Sequence, residues 1–248
     1  MKTSLMAGCL VLGLSFGLVS AATAAVNCNT YPNNTITNFV NDDVIAVGYT
    51  CTIAATGTVN GNLVQTGAGG VVIRRVVNGS ISESGAGDVS IARGTVGGDV
   101  SEADLGNVVL RGGSTVNGKI EEAGDGSVNV TVDVPGRVNV EITETGTGGI
   151  SITTLEGDFE GTVTESGIGG VTINVAPGTS FKGDVEEYDA GGVNANVEGM
   201  FEGNLVERLG GNVITTGNGI FKGNSEHELA GTCSNTILNF QGAACNLI

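Results

Sequence analysis

No tryptophan occurs in this chain, and its 248 residues include only three tyrosines, one histidine and ten basic side chains. So few aromatic rings leave little surface on which sugars or bases could stack. The shortage of Lys and Arg against 26 Asp and Glu gives a formal net charge of −16. A chain this acidic repels nucleic acid and anionic membranes, and attracts cations or basic partners. Long apolar runs are missing after the N-terminus, so no later segment has the ~20 apolar residues of a spanning helix. Cysteine is absent from the whole stretch between Cys51 and Cys233.

What apolar run there is extends from Leu5 to Val19. It follows Lys2 and precedes the small residues Ala22-Thr23-Ala24. That layout predicts a secretory signal peptide over residues 1–25, cleaved after Ala24 or Ala25. Lys2 is the one charged residue in it, so cleavage takes the formal charge to −17. The expected mature chain is exported to the cell surface, the periplasm or the medium, with no integral membrane segment. Cys28, Cys51, Cys233 and Cys245 survive cleavage as two close pairs at the two ends. In an exported protein this spacing predicts two local disulfides, Cys28–Cys51 and Cys233–Cys245.

Self-similarity dominates what lies between them. A glycine in a Val/Phe-x-Gly context recurs at Gly61, Gly79, Gly98, Gly118, Gly161, Gly183, Gly203 and Gly223, with Val140 in the fifth position, at spacings of 18 to 22. Two residues after each anchor comes an aliphatic residue (Leu63, Ile81, Val100 and so on), until Ser225 in the last repeat. Eight after comes glycine without exception, and ten and twelve after are again mostly apolar, as in Val71 and Ile73. Two-residue alternation marks half-buried strands, and the glycine is expected to supply positive φ at a turn.

A period near 20 is too short for a self-sufficient domain, so each repeat must bury its apolar face against its neighbours. The predicted fold is all-β: a single-stranded parallel β-solenoid of about nine coils, with a right-handed β-helix favoured. It divides into an N-terminal cap over 26–57, repeats over 58–232 and a C-terminal cap over 233–248, each cap holding one disulfide. One core column changes from valine (Val59, Val77, Val96, Val116, Val138) to phenylalanine (Phe159, Phe181, Phe201, Phe221) along the rod. Residues 34–39 and 235–240 are similar hexapeptides, NTITNF and NTILNF. They are read either as two solutions of one capping problem or as ends that meet another copy of the molecule.

Four residues after each anchor runs the most unusual column: Gln65, Glu83, Glu102, Glu122, Glu144, Glu165, Glu187, Glu207 and His227. Alternation points these side chains into the core, at the ~4.8 Å spacing of stacked coils. Ionised neighbours at that distance would repel by about 3.5 kcal/mol at an effective dielectric of 20. Three escapes are open: the carboxyls turn outward, stay partly protonated, or bind cations. Capping of the following Gly-x-Gly turns is one expected role. The other is a metal site, most plausibly for calcium, formed by Glu83, Glu102, Glu122, Glu144, Glu165, Glu187 and Glu207. Segments such as Gly67-Ala68-Gly69-Gly70 lack the aspartate of a true calcium nonapeptide loop.

No catalytic residues emerge. The repeats vary by only four residues in length, which leaves no loop long enough to build a cleft. His227 has no serine or cysteine nucleophile beside it, and a uniform carboxylate ladder lacks the separated pKa values of an acid–base pair. No cofactor is expected beyond calcium. With their Val-x-Gly-x-Val/Ile spacing, the repeats over roughly 59–232 resemble the β-helical parts of bacterial surface adhesins and autotransporter passengers, and are similar to bactofilins. The resemblance implies a scaffold with flat, repetitive faces and transfers no functional residue. A leader and disulfide-bearing ends depart from the cytoplasmic bactofilins. The expected role is an exported, non-enzymatic structural or adhesive solenoid that self-associates through its capped ends or meets a surface or matrix partner. The alternative is cation-dependent binding through the glutamate column.

Overall fold

The computed structural model describes residues 25–189, 191–228, 231–243 and 245–247. The signal peptide prediction falls on residues outside this range, apart from Ala25. Each coil contributes one short strand to each of three faces. The first face is a 12-stranded sheet running from Val26–Asn27 to Asn246–Leu247, and the second is an 11-stranded sheet from Thr35–Ile36 to Cys233–Asn235. The third is divided into a five-stranded and a six-stranded sheet. Pairing is parallel and in register from coil to coil, for example Ile81↔Val100, Val89↔Val108 and Phe181↔Phe201. The chain is therefore a parallel β-solenoid.

It has eleven turns rather than nine, because the segments expected to be separate caps continue the winding. Val44 and Ala46 pair with Leu63 and Gln65, and Phe240 pairs with Phe221. At ~4.8 Å per turn the stack is about 50 Å long. Both predicted disulfides are formed, Cys28–Cys51 with Cα atoms 6.0 Å apart and Cys233–Cys245 with 5.2 Å. Each ties a strand, Cys51–Ile53 or Cys233–Asn235, to a non-strand segment of a terminal turn.

The core is a set of stacked columns. Leu63, Ile81, Val100, Ile120, Ile142, Val163, Val185 and Leu205 line the first face from within, and Val71, Val89, Val108, Val128, Ile150, Val171, Val193 and Val213 the second; all are buried. β-Branched residues suit such walls because their stiff side chains pack well on a pleated surface. The cross-section widens toward the C-terminus. Second-face strands lengthen from Val71–Ile73 to Gly192–Val197, and third-face strands from Thr95–Val96 to Asp158–Glu160. Phenylalanine fills the added width. Phe159, Phe181, Phe201, Phe221 and Phe240 stack with centroids 4.6 to 4.9 Å apart and planes within 15°. The split in the third face falls between Thr115–Val116 and Arg137–Asn139, where the corner holds Pro135, which has no N–H to donate.

The glycine found eight residues after each anchor serves close approach and, with few exceptions, not positive φ. A Cβ on Gly148 would lie 1.4 Å from the carbonyl oxygen of Gly126, and one on Gly126 only 1.5 Å from that of Gly106. Successive turns are stacked too tightly at this corner for any side chain. Gly69, with φ 128°, does use the left-handed region.

The candidate functional site: a buried carboxyl column

Glu83, Glu102, Glu122, Glu144, Glu165, Glu187 and Glu207 all point inward from the first face, and all are 0% exposed. Their Cα atoms pair directly from turn to turn, from Gln65↔Glu83 to Glu207↔His227. None takes the outward escape. The alternation of the strand holds, and the carboxyls are sealed from solvent.

One oxygen of most of them is occupied. From Glu102 to Glu207, Oε1 accepts a backbone N–H two residues on: Asp104 (3.0 Å), Gly124 (2.8 Å), Gly146 (2.7 Å), Gly167 (2.9 Å), Asp189 (2.8 Å) and Leu209 (2.8 Å). Glu102 and Glu122 also accept from Gly106 and Gly126, and Glu207 from Gly210. The carboxyl thus caps the turn that leaves its own strand, which matches the capping role expected from the Gly-x-Gly turns. At the head of the column the Gln65 side chain instead donates to the Gly67 carbonyl, at 3.3 Å.

The second oxygen of each has no donor outside the column. Oε2 of Glu102 through Glu207, both oxygens of Glu83 and Oε1 of Gln65 are buried and unpartnered. Ionised carboxylates can only accept, so facing rows of them satisfy nothing. A proton on one carboxyl makes it a donor to the next. Burial is the leading cause pushing the Glu102 carboxyl up to about 8 and that of Glu165 to about 9, and the carboxyls on either side add to the rise. Burial also raises Glu83, Glu144 and Glu187, but each is drawn back by a hydrogen bond with a neighbouring carboxyl, Glu102 in the first case and Glu165 in the other two. At neutral pH, Glu102 and Glu165 therefore hold a proton, which each can donate to one carboxyl beside it.

The environments along the ladder are thus unequal, contrary to the uniform row expected, yet no substrate reaches carboxyls that are fully buried. Calcium takes six to eight oxygens, whereas from Glu102 to Glu207 each turn offers one carboxyl oxygen beyond the one that caps its turn. Among the described residues, no group of three or more His, Cys, Asp and Glu has the arrangement of a metal site. His227 is half-buried and its Nδ1 is unpartnered, continuing the column into the last complete turn.

Two features outside this column escape the glutamate spacing. On the outside of the first face, Arg208 bridges Glu186 (3.7 Å) and Glu228 (3.2 Å) and lies over the Tyr188 ring. At a corner of the early turns Arg74, Arg75, Arg93 and Arg111 come together; the eighteen-residue recurrence of Arg75, Arg93 and Arg111 points to that corner, although Arg111 stacks on Ala92 and not on Arg93. No family model matches the chain, and no curated protein or solved structure matches it.

Proposed function

We propose that the chain is an exported, non-enzymatic structural or adhesive rod that acts through its faces and its ends, and that its ends join copies of itself. The observation that carries this reading is the condition of those ends. A solenoid that stops leaves open sheet edges, which invite pairing. Here the terminal turns expose large apolar side chains: Phe39, in the strand Phe39–Val40 of the first turn, is 62% exposed, and Leu238, just before the strand Asn239–Gln241 of the last, is 78% exposed. Both lie in the similar hexapeptides. The hexapeptides are not superimposable, since Phe39 points outward while Phe240 stacks inward on Phe221. This difference favours a head-to-tail contact between two different surfaces, which propagates into a filament where its rotation does not close.

Export to an oxidising compartment is supported by the two disulfides, and right-handed winding by the strong preference of parallel crossovers for that hand. The acidic surface disfavours nucleic acid as a partner. Hydrogen exchange of residues 34–39 and 235–240 tests the assembly: protection there grows with protein concentration. Protection that is independent of concentration would remove the self-association.

A second reading, cation-dependent binding with calcium in the glutamate column, is favoured by the unpartnered row of Oε2 atoms. Calorimetry with calcium tests it on a variant carrying glutamine at Glu122, Glu144 and Glu165. Binding equal to that of the unmodified protein rejects the column as the site.

A further inference from the structure

We infer that the corner of the early turns carrying Arg74, Arg93 and Arg111 is a binding site for a compact polyvalent oxyanion bearing phosphate or sulfate. The described chain has nine basic residues, and four of them, Arg74, Arg75, Arg93 and Arg111, gather here with exposed side chains. Elsewhere on the rod basic side chains are mostly neutralised: Lys119 pairs with Glu121, Arg137 with Glu160, Lys182 with Glu202, and Arg208 with two glutamates. None of the four corner arginines has an ion-pair partner among the described residues. In a chain with 26 acidic residues, an unneutralised cluster of like charge is a local exception that a bound anion would relieve.

The corner is also hollow. Arg74, Arg93 and Arg111 line a groove of about 610 Å³ with small residues beside them, including Ala92 and Gly112, and Asp133 stands at its far end. Asp133 is engaged with the backbone N–H of Gly112, at 2.7 Å. Arg75 gives one donor to the Ala55 carbonyl, at 3.3 Å, which holds it at the rim. The backbone is shaped for this arrangement. Arg93 has φ 63°, in the left-handed region, while the corner of the next turn uses Gly112 and Gly113 at φ 71°. An arginine thus occupies a conformation the neighbouring turn gives to glycine, and its side chain lies over Gly112, whose added Cβ would meet Arg93 Cγ at 3.0 Å. Strained positions of this kind cluster at binding sites.

The chemistry selects the ligand. Guanidinium groups present planar forks that match phosphate, sulfate and carboxylate oxygens in pairs. Arg74 to Arg111 spans two turn spacings, about 10 Å, and the rod beyond is acidic. A long polyanion would be repelled along the rest of the molecule, so the ligand is short.

Calorimetry at low ionic strength tests the site with two probes, pyrophosphate and a sulfated disaccharide. At least one is expected to bind saturably at one per chain, and at least tenfold more weakly to R93Q/R111Q, while K222Q leaves binding unchanged. Pyrophosphate alone would assign free phosphate compounds, and the disaccharide alone would assign sugar-borne sulfate. Should the double variant fail to fold by circular dichroism, R74Q gives the same comparison at an exposed position. Absence of saturable binding by the unmodified protein, or equal binding by the folded variants, overturns the site.

Discussion

Glu165 lies between Glu144 and Glu187, and its single proton can be donated to one of them at a time. Glutamine is the nearest uncharged equivalent of its protonated form, and Gln65 already occupies the head of the same column. Glu165→Gln is therefore expected to unfold in urea within about 1 kcal/mol of the unmodified protein at neutral pH. Glu165→Ala removes the acceptor of the Gly167 N–H and leaves a cavity, and should lose about 2–4 kcal/mol. The pH dependence has a definite sign. The Glu165 carboxyl is raised from 4.5 to about 9 in the folded chain, so between these values the folded state holds a proton that the unfolded state has released. Its contribution to stability is complete below about pH 4.5 and is lost as pH rises toward about 9, at about 1.4 kcal/mol per pH unit for a single group. Glu102, raised to about 8, acts in the same direction. Thermal unfolding followed by circular dichroism should show Tm falling from mildly acidic to mildly alkaline pH, less steeply in Glu165→Gln. A Tm that is flat or rises over that window contradicts protonated carboxyls in the core. Among the glycines, Gly148→Ala is expected to lose about 3 kcal/mol or more, because its Cβ would overlap the Gly126 carbonyl oxygen of the adjoining turn.

The strands explain which columns were readable. Within the repeats, two-residue alternation identifies the inward rows, and the phenylalanine ladder follows from the same register. Phe201→Ala should lose about 3–5 kcal/mol, and combining it with Phe181→Ala should be less than additive in denaturant titrations, since the two rings share a stacked contact. Additive losses would mean that the rings pack independently. The end turns were less legible because their positions depart from the repeat. Asp42 stands where the anchor glycine belongs and Thr50 where the glycine eight residues on belongs, so only the pairing of Val44 with Leu63 reveals the N-terminal turn. At the other end a signal was present: Phe240-Gln241-Gly242 continues the Phe-x-Gly pattern nineteen residues after Gly223. The inward direction of the glutamates was written in the alternation, whereas electrostatics appeared to require an escape. Protons resolve that conflict, and they have no letter in a sequence. The arginine corner was spaced in the sequence, but its hollow and the left-handed backbone at Arg93 depend on how three turns stack.

At the scale of the whole molecule, the protein is a rod of eleven stacked turns with a sealed, proton-holding interior and ends that expose Phe39 and Leu238. The repetitive faces and the disulfide-tied terminal turns suit a building element, and its function is proposed to reside where one rod meets the next. The measurement that tests this most directly is the light-scattering mass of the disulfide-bonded protein across a concentration series, in calcium and in chelator, beside a variant carrying F39S and L238S. The account predicts assemblies larger than one chain that grow with concentration, persist in chelator and revert to monomers in the variant. A monomer at every concentration would contradict it, as would assemblies that the variant forms equally well.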